Sequence, residues 1–378
     1  MRGQGVTAAE KVAPVRLDNI DLLRAVAIVS VLLYHFTSRW HAQSVPFRFD
    51  LGWAGVDLFF MVSGFCIFMT LERSRTLAAF WARRFARLQP AYMAGVVLTF
   101  ALVSWFGLPG YEVTPTVAAG NLVWFDVVPS WGFVDDAYWS LIVEAKFYFW
   151  FGLIYFLMRG RNVSLAWAAF AAMGSVLTHA EGWGWPAGHV LTVVAQSVLI
   201  GPFAPMFLVG SVCYEFRDKP ARSAILPAVV ALALLPTSPR YAGVIWLGPL
   251  IAVFAAIVFR LTWLRLPRAV TLIGLTSYSL YLVHQYVGLV IIRELAPVFP
   301  ALFPRILIAT AMTVALAIAM FYTIELRWQK SLAALIEPIV AGAIGWLPRT
   351  WRVRAGRDGQ SDKPGPGDAK VVDAARGW

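Results

Sequence analysis

The feature that most constrains this chain is a succession of apolar runs, each close to the ~20 residues that a helix needs to cross a bilayer. The first is LDNIDLLRAVAIVSVLLYHF, Leu17 to Phe36, and others recur as far as Glu325. Inside a bilayer the backbone polar groups must be paired within the protein, so runs of this length fold as helices. The composition agrees: 59% of the 378 residues are hydrophobic and 14% charged, with a mean hydropathy of +0.67. The expected fold is all-α, a polytopic helical membrane protein of about ten transmembrane helices. Their expected limits are 20–38, 52–71, 89–107, 136–158, 163–180, 191–214, 222–236, 242–260, 270–292 and 303–325.

Arg and Lys gather in alternate loops. Arg73, Arg75, Arg83, Arg84 and Arg87 stand in one, and Arg159 with Arg161, Arg217 with Lys219, and Arg260 with Arg265 and Arg268 follow. Loops on the other side are poorer in cations, and one carries Glu112, Asp126, Asp135 and Asp136. The positive-inside rule then puts both termini in the cytoplasm, which agrees with an even number of spans. The expected organisation is a cytoplasmic N-terminal segment, 1–16, a membrane domain, 17–330, an interfacial helix, 331–348, and a disordered cytoplasmic tail, 349–378. The first run is too long and too interrupted for a cleaved signal and is expected to remain as an anchor, in a bacterial inner membrane.

The net charge of +11 suggests nucleic acid only until its distribution is considered. The cations cluster at the ends of apolar runs, as a topology signal does, so no nucleic-acid partner is expected and the surrounding partners are membrane lipids. The two cysteines, Cys66 and Cys213, sit inside apolar runs, and no zinc or P-loop pattern occurs, so no metal is implied.

Ionisable residues inside spans are costly and point to function. Ten residues separate Arg24 from His35. Eleven helical steps make about three turns plus ~20°, so the two share a face about 16 Å apart along the axis. The second run, GWAGVDLFFMVSGF, brings Asp57 to a depth like that of His35. Asp57 is then able to orient the imidazole, or to satisfy a backbone or Arg group instead; His35 itself is either a catalytic base or a polar residue at a helix interface. FWARRFARLQPAY places Arg83 and Arg87 at i and i+4 on one face, with Arg84 beside them, a set suited to anchoring topology or to clamping phosphates. Pro90 kinks the following span or marks its start. Glu144 lies in YWSLIVEAKFYFW, about two turns from the outer edge. Ser277, Tyr281 and His284, at i, i+4 and i+7 in GLTSYSLYLVHQYV, form a polar stripe.

Those five segments, in this order and followed by FYTIELRWQKSL with Glu325, resemble the acyltransferase 3 family of integral membrane O-acyltransferases, in the form of a stand-alone member without a fused Ser-Gly-Asn-His domain. The resemblance implies transfer of an acyl group, most often acetyl, from cytoplasmic acetyl-CoA or another acyl-CoA to a hydroxyl of an extracytoplasmic or membrane-linked carbohydrate. It implies no permanently bound cofactor; acyl-CoA serves as donor and a carbohydrate or glycolipid as acceptor. Arg24 and His35 match the family's Arg-to-His motif, Arg84 and Arg87 its Arg-rich motif, and Glu144 its Trp-Ser-x-x-x-Glu motif, which opens at Trp139 and Ser140. On this expectation His35, Asp57 and Glu144 are catalytic, Arg24, Arg83, Arg84 and Arg87 hold the donor, and Trp139, Ser140, Tyr281 and His284 meet the acceptor. The rival expectation is a transporter or flippase of a lipid-linked glycan, with the same polar residues lining a path.

Overall fold

The computed structural model describes residues 18–38, 48–122, 132–218, 222–237, 247–260 and 265–345. The N-terminal segment 1–16 and the tail 349–378 lie outside the described residues. Among the described residues there is no strand. The helices are α1 (Asp18–Ser38), α2 (Ala54–Glu72), α3 (Leu77–Phe106), α4 (Pro115–Leu122), α5 (Trp139–Leu157), α6 (Val163–Thr178), α7 (Gly188–Ser197) and α8 (Ala204–Asp218). They continue as α9 (Arg222–Leu234), α10 (Leu247–Arg260), α11 (Arg268–Leu275), α12 (Ser277–Val283), α13 (Tyr286–Glu294), α14 (Leu302–Met320) and α15 (Leu326–Ala343). Asp18–Ser38, Asp50–Glu72, Leu77–Phe106, Asp136–Leu157 and Leu302–Ala343 are long and apolar enough to cross a membrane; Val163–Thr178, Ala224–Thr237 and Leu247–Phe259 are shorter apolar helices. Large apolar side chains also face outward, among them Val97, Leu226, Val229, Leu232 and Leu307. A helix that is apolar all round belongs in lipid, and the chain is an integral membrane protein.

The bundle is built round α2, which is buried along almost its whole length and packs on α1, α5 and α8. Its crossing with α8 is close because Gly64 and Gly210 carry no side chains. A Cβ on Gly64 would stand 2.1 Å from the Phe207 carbonyl oxygen, and one on Gly210 1.9 Å from that of Met61. Small residues at such crossings let membrane helices pack backbone to backbone. Next to this crossing the stacked rings of Phe147 and Phe207, 4.0 Å apart, join Phe151 and Trp167 in the core.

α3 is capped by Thr76, whose Oγ1 accepts from the Ala79 N–H at 3.1 Å, and it continues without interruption past Pro90. Pro90 therefore neither starts nor ends the helix. At 1.5 Å per residue its 30 residues reach about 45 Å, enough to carry the Arg83–Arg87 turns beyond the apolar core of a bilayer.

The run expected as one span over 270–292 is broken into α11, α12 and α13. The second break, at His284 and Gln285, is satisfied from the chain around α5. The Asp135 carboxylate accepts from the Tyr286 N–H at 2.9 Å, and the Tyr138 hydroxyl donates to the Leu282 carbonyl at 2.9 Å. A membrane helix tolerates a break where other groups pair the freed backbone, and this break does so with two residues at the head of α5.

α14 passes into α15 through a π-helical turn, Phe321–Glu325. The combined stretch has 42 residues, about 60 Å at helical rise, so one end extends past the apolar core. The segment expected as a separate interfacial helix, 331–348, is described as far as residue 345; it continues α15, which lies along α3.

Candidate active site

His35, near the end of α1, and His284, at the end of α12, meet although 249 residues separate them. His35 Nδ1 lies 2.8 Å from His284 Nε2, with ring centroids 5.0 Å apart. His284 is fully buried, and its Nδ1 lies 2.8 Å from the Tyr281 carbonyl oxygen. His35 is half-buried. Asp57 is buried in the first turn of α2. The partner that the structure shows for His35 Nδ1 is a second imidazole, a contact the sequence did not suggest.

Tyr281 connects this pair to a cavity of about 70 Å³. Its ring is 5.4 Å from that of His284, and its hydroxyl donates to the Ala137 carbonyl at 3.0 Å and meets Ser140 Oγ at 2.7 Å. The cavity is lined by Tyr281, Ser140, Ser63 and Glu144 together with Arg24 and Arg87. Glu144 therefore shares a cavity with cations. Its Oε1 accepts from both Ser63 Oγ and the Tyr148 hydroxyl. A carboxylate held by two O–H donors has a fixed orientation.

The four Arg residues divide by burial. Arg24 and Arg87 are half-buried and line the cavity. Arg83 is exposed and donates to Ser74 Oγ at 2.9 Å. Arg84 is buried; it donates to Thr70 Oγ1 at 2.6 Å, and its guanidinium lies 5.9 Å from both the Phe80 and Tyr148 ring centroids. Arg84 thus supports Tyr148 from outside the cavity. The i, i+1, i+4 spacing holds the reason: Arg84 points about 100° away from the Arg83–Arg87 face.

Of the residues expected to meet an acceptor, Ser140 and Tyr281 line the cavity, whereas His284 stands behind His35. Trp139 is half-buried and packs against Phe60 and Phe203, at 6.3 and 5.2 Å between ring centroids. Sequence reasoning gave no role to Ser63, Tyr148 or Glu325. Glu325 is buried, accepts from Ser279 Oγ at 2.9 Å and lies 4.0 Å from Arg87 Nε. Its signal was an acid in an apolar run; Tyr148 stands at i+4 from Glu144, a spacing that puts them on one helix face. Among the described residues no group of three or more His, Cys, Asp or Glu is arranged to hold a metal.

A family model described as an acyltransferase domain matches residues 17–322. The chain belongs to this acyltransferase family. It is similar to the O-acetyltransferase OatA of Staphylococcus aureus, with 31% identity over 164 residues, 38% of this chain and 25% of that protein. It is also similar to the peptidoglycan O-acetyltransferase OatA of Listeria monocytogenes, with 31% identity over 153 residues, 35% of this chain and 23% of that protein. The matched part thus spans about a quarter of these curated relatives. No solved structure matches the chain. Every residue of the cavity and of the histidine pair lies inside the acyltransferase match.

Proposed function

We propose that this chain is a membrane O-acetyltransferase that moves an acetyl group from acetyl-CoA at the cytoplasmic side of a bacterial plasma membrane to a hydroxyl of an extracytoplasmic or membrane-linked carbohydrate. The observation that carries the reading is the half-buried His35, paired with His284 and joined through Tyr281 to a cavity that holds two Arg side chains and one carboxylate. The names of the relatives, O-acetyltransferases that include a peptidoglycan enzyme, support the acetyl group and the carbohydrate acceptor.

In this reading Arg24 and Arg87 hold the donor's phosphates, with Arg83 outside them on the same face of α3. Guanidinium groups suit this work because they bind phosphate through two parallel N–H bonds. The pantetheine arm of CoA is comparable in length to the ~16 Å of α1 between Arg24 and His35, so phosphates held at one end bring the thioester toward the other. His35 takes the proton of the acceptor hydroxyl as its oxygen attacks the thioester carbon. The C–S bond breaks, and the thiolate receives that proton to leave as free CoA. Glu144, fixed by Ser63 and Tyr148, accepts a hydrogen bond from the acceptor and orients it. The termini lie in the cytoplasm in this reading, which the Arg and Lys distribution supports.

The test uses the full chain in lipid nanodiscs with radiolabelled acetyl-CoA and soluble and lipid-linked glycans. The expected result is one ester-bound acetyl group on a glycan oxygen for each CoA released. Movement of glycan across the bilayer with acetyl-CoA untouched would replace the enzyme with a flippase.

A further inference from the structure

We propose that His284 is a positioning residue for the transfer: it holds His35 as the tautomer with its proton on Nδ1, leaving the lone pair on Nε2 for the acceptor hydroxyl. This inference rests on the reading of His35 as the base.

The Tyr281 carbonyl only accepts hydrogen bonds. His284 Nδ1 lies 2.8 Å from it and must therefore carry a proton. His284 is fully buried, and a buried charge without a paired opposite charge is costly, so its ring is neutral and its Nε2 is a bare acceptor. His35 Nδ1 stands 2.8 Å from that acceptor. Two lone pairs do not meet at such a distance, so His35 Nδ1 carries the proton between them. The proton order is fixed from carbonyl to His284 to His35, and it ends with the lone pair on His35 Nε2.

The fold holds the first member of this series rigid. Tyr281 stands in the last full turn before the break at His284, and its hydroxyl is tied to Ala137 and Ser140. The break is closed by Tyr138 on Leu282 and by Asp135 on Tyr286. The head of α5 thus fixes the segment that fixes His284, and His284 fixes His35. A histidine side chain free in water favours the proton on Nε2; this arrangement reverses that preference. When the acceptor oxygen attacks, its proton goes to Nε2, the O–C bond forms and the C–S bond breaks. The Nδ1–H stays hydrogen-bonded to His284 throughout, and Nε2 then returns its proton to the thiolate. In serine hydrolases a carboxylate does this orienting. On His35 Nδ1 a neutral imidazole takes that place.

The experiment has two arms. The first is nitrogen-15 NMR of the full chain in nanodiscs with labelled histidine; the chain has five, and His35→Gln assigns the one that matters. The expected spectrum gives His35 as the neutral Nδ1–H form. A neutral Nε2–H form, or rapid averaging of the two, overturns the proposal. The second arm compares transfer and acetyl-CoA binding in His284→Gln and His284→Phe. The Gln amide oxygen reaches the place of Nε2 and still accepts from His35, whereas Phe offers no acceptor. The expected outcome is a loss of transfer of about 100-fold or more in His284→Phe with binding retained, and a loss of no more than about tenfold in His284→Gln. Equal losses in the two variants overturn the proposal. If His284→Phe does not fold, the NMR spectrum of wild type and His284→Gln decides alone. Normal transfer in His35→Ala would instead remove the underlying reading of His35, so the two failures are distinct.

Discussion

Arg87 Nε stands 4.0 Å from Glu325 Oε1, a pairing that ties α3 to the π-helical turn between α14 and α15. The carboxylate is 2% exposed and the guanidinium 12%, so this ion pair is shut off from bulk solvent while the cation still lines the cavity. Arg87 thus has a structural partner and, in the proposed function, a donor phosphate to hold.

The two roles separate in a double variant. Arg87→Ala leaves a buried carboxylate without its cation, a loss of about 3–5 kcal/mol. Adding Glu325→Gln removes that charge and keeps an oxygen for Ser279. The expected outcome is a melting temperature restored close to wild type with acetyl-CoA binding still lost. Normal acetyl-CoA binding in the double variant would make Arg87 a counter-ion and nothing more.

Arg84 is expected to behave in the opposite way. It is buried against Thr70, Phe80 and Tyr148 and lies outside the cavity. Arg84→Ala should lower stability by the roughly 1.5–3 kcal/mol of a hydrogen bond from a charged group. The folded fraction should bind acetyl-CoA with close to the wild-type Kd, whereas Arg24→Ala should weaken it. Calorimetric titration of size-selected protein separates the two effects, and a large rise in Kd for folded Arg84→Ala would return Arg84 to the donor site.

The difference between these two Arg residues shows what the sequence carried and what it did not. Helical spacing put Arg83 and Arg87 on one face and Arg84 off it, but spacing does not say which face meets a cavity. Run lengths gave the helical membrane class, because bilayer thickness leaves few other folds for such runs. The depths of Arg24 and His35 followed from rise per residue. The pairing of His35 with His284 was not legible, since nothing local links residues 249 apart, and the depth argument favoured Asp57 equally well. Nor was the break before Tyr286 legible: the run 270–292 reads as one span, and its freed backbone groups are paired by Asp135 and Tyr138 from the turn that leads into α5.

The α2–α8 crossing supplies a stability prediction. Gly210→Ala would bring a Cβ within 1.9 Å of the Met61 carbonyl oxygen, and backbone on both sides leaves no flexible side chain to move. Overpacking of this kind costs about 1–3 kcal/mol or more. Fluorescence-detected thermal unfolding in detergent should show a clear fall for Gly210→Ala and for Gly64→Ala. Gly248→Ala, where a Cβ meets nothing within 4 Å, is the control and should melt like wild type.

Topology is tested by cysteine labelling at exposed positions. Asp135 and Arg84 are buried and poor reporters, whereas Asp136 and Arg161 are exposed. The native Cys66 and Cys213 are buried, which keeps background low. A membrane-impermeant maleimide applied to intact cells should label Asp136→Cys and spare Arg161→Cys until the cells are opened. The reverse pattern would invert the protein and move the Arg side chains away from cytoplasmic acetyl-CoA.

His35 is the base in the proposed transfer, and the most direct measurement compares acetyl transfer with acetyl-CoA binding in one nanodisc preparation of His35→Ala. In the proposed function the donor's phosphates are held about three turns away along α1, so binding should match wild type. Transfer to the glycan should fall by about 100-fold or more, the usual consequence of losing an acid–base group. Transfer at near wild-type rate, with binding intact, would contradict the account and leave His35 as an interface residue.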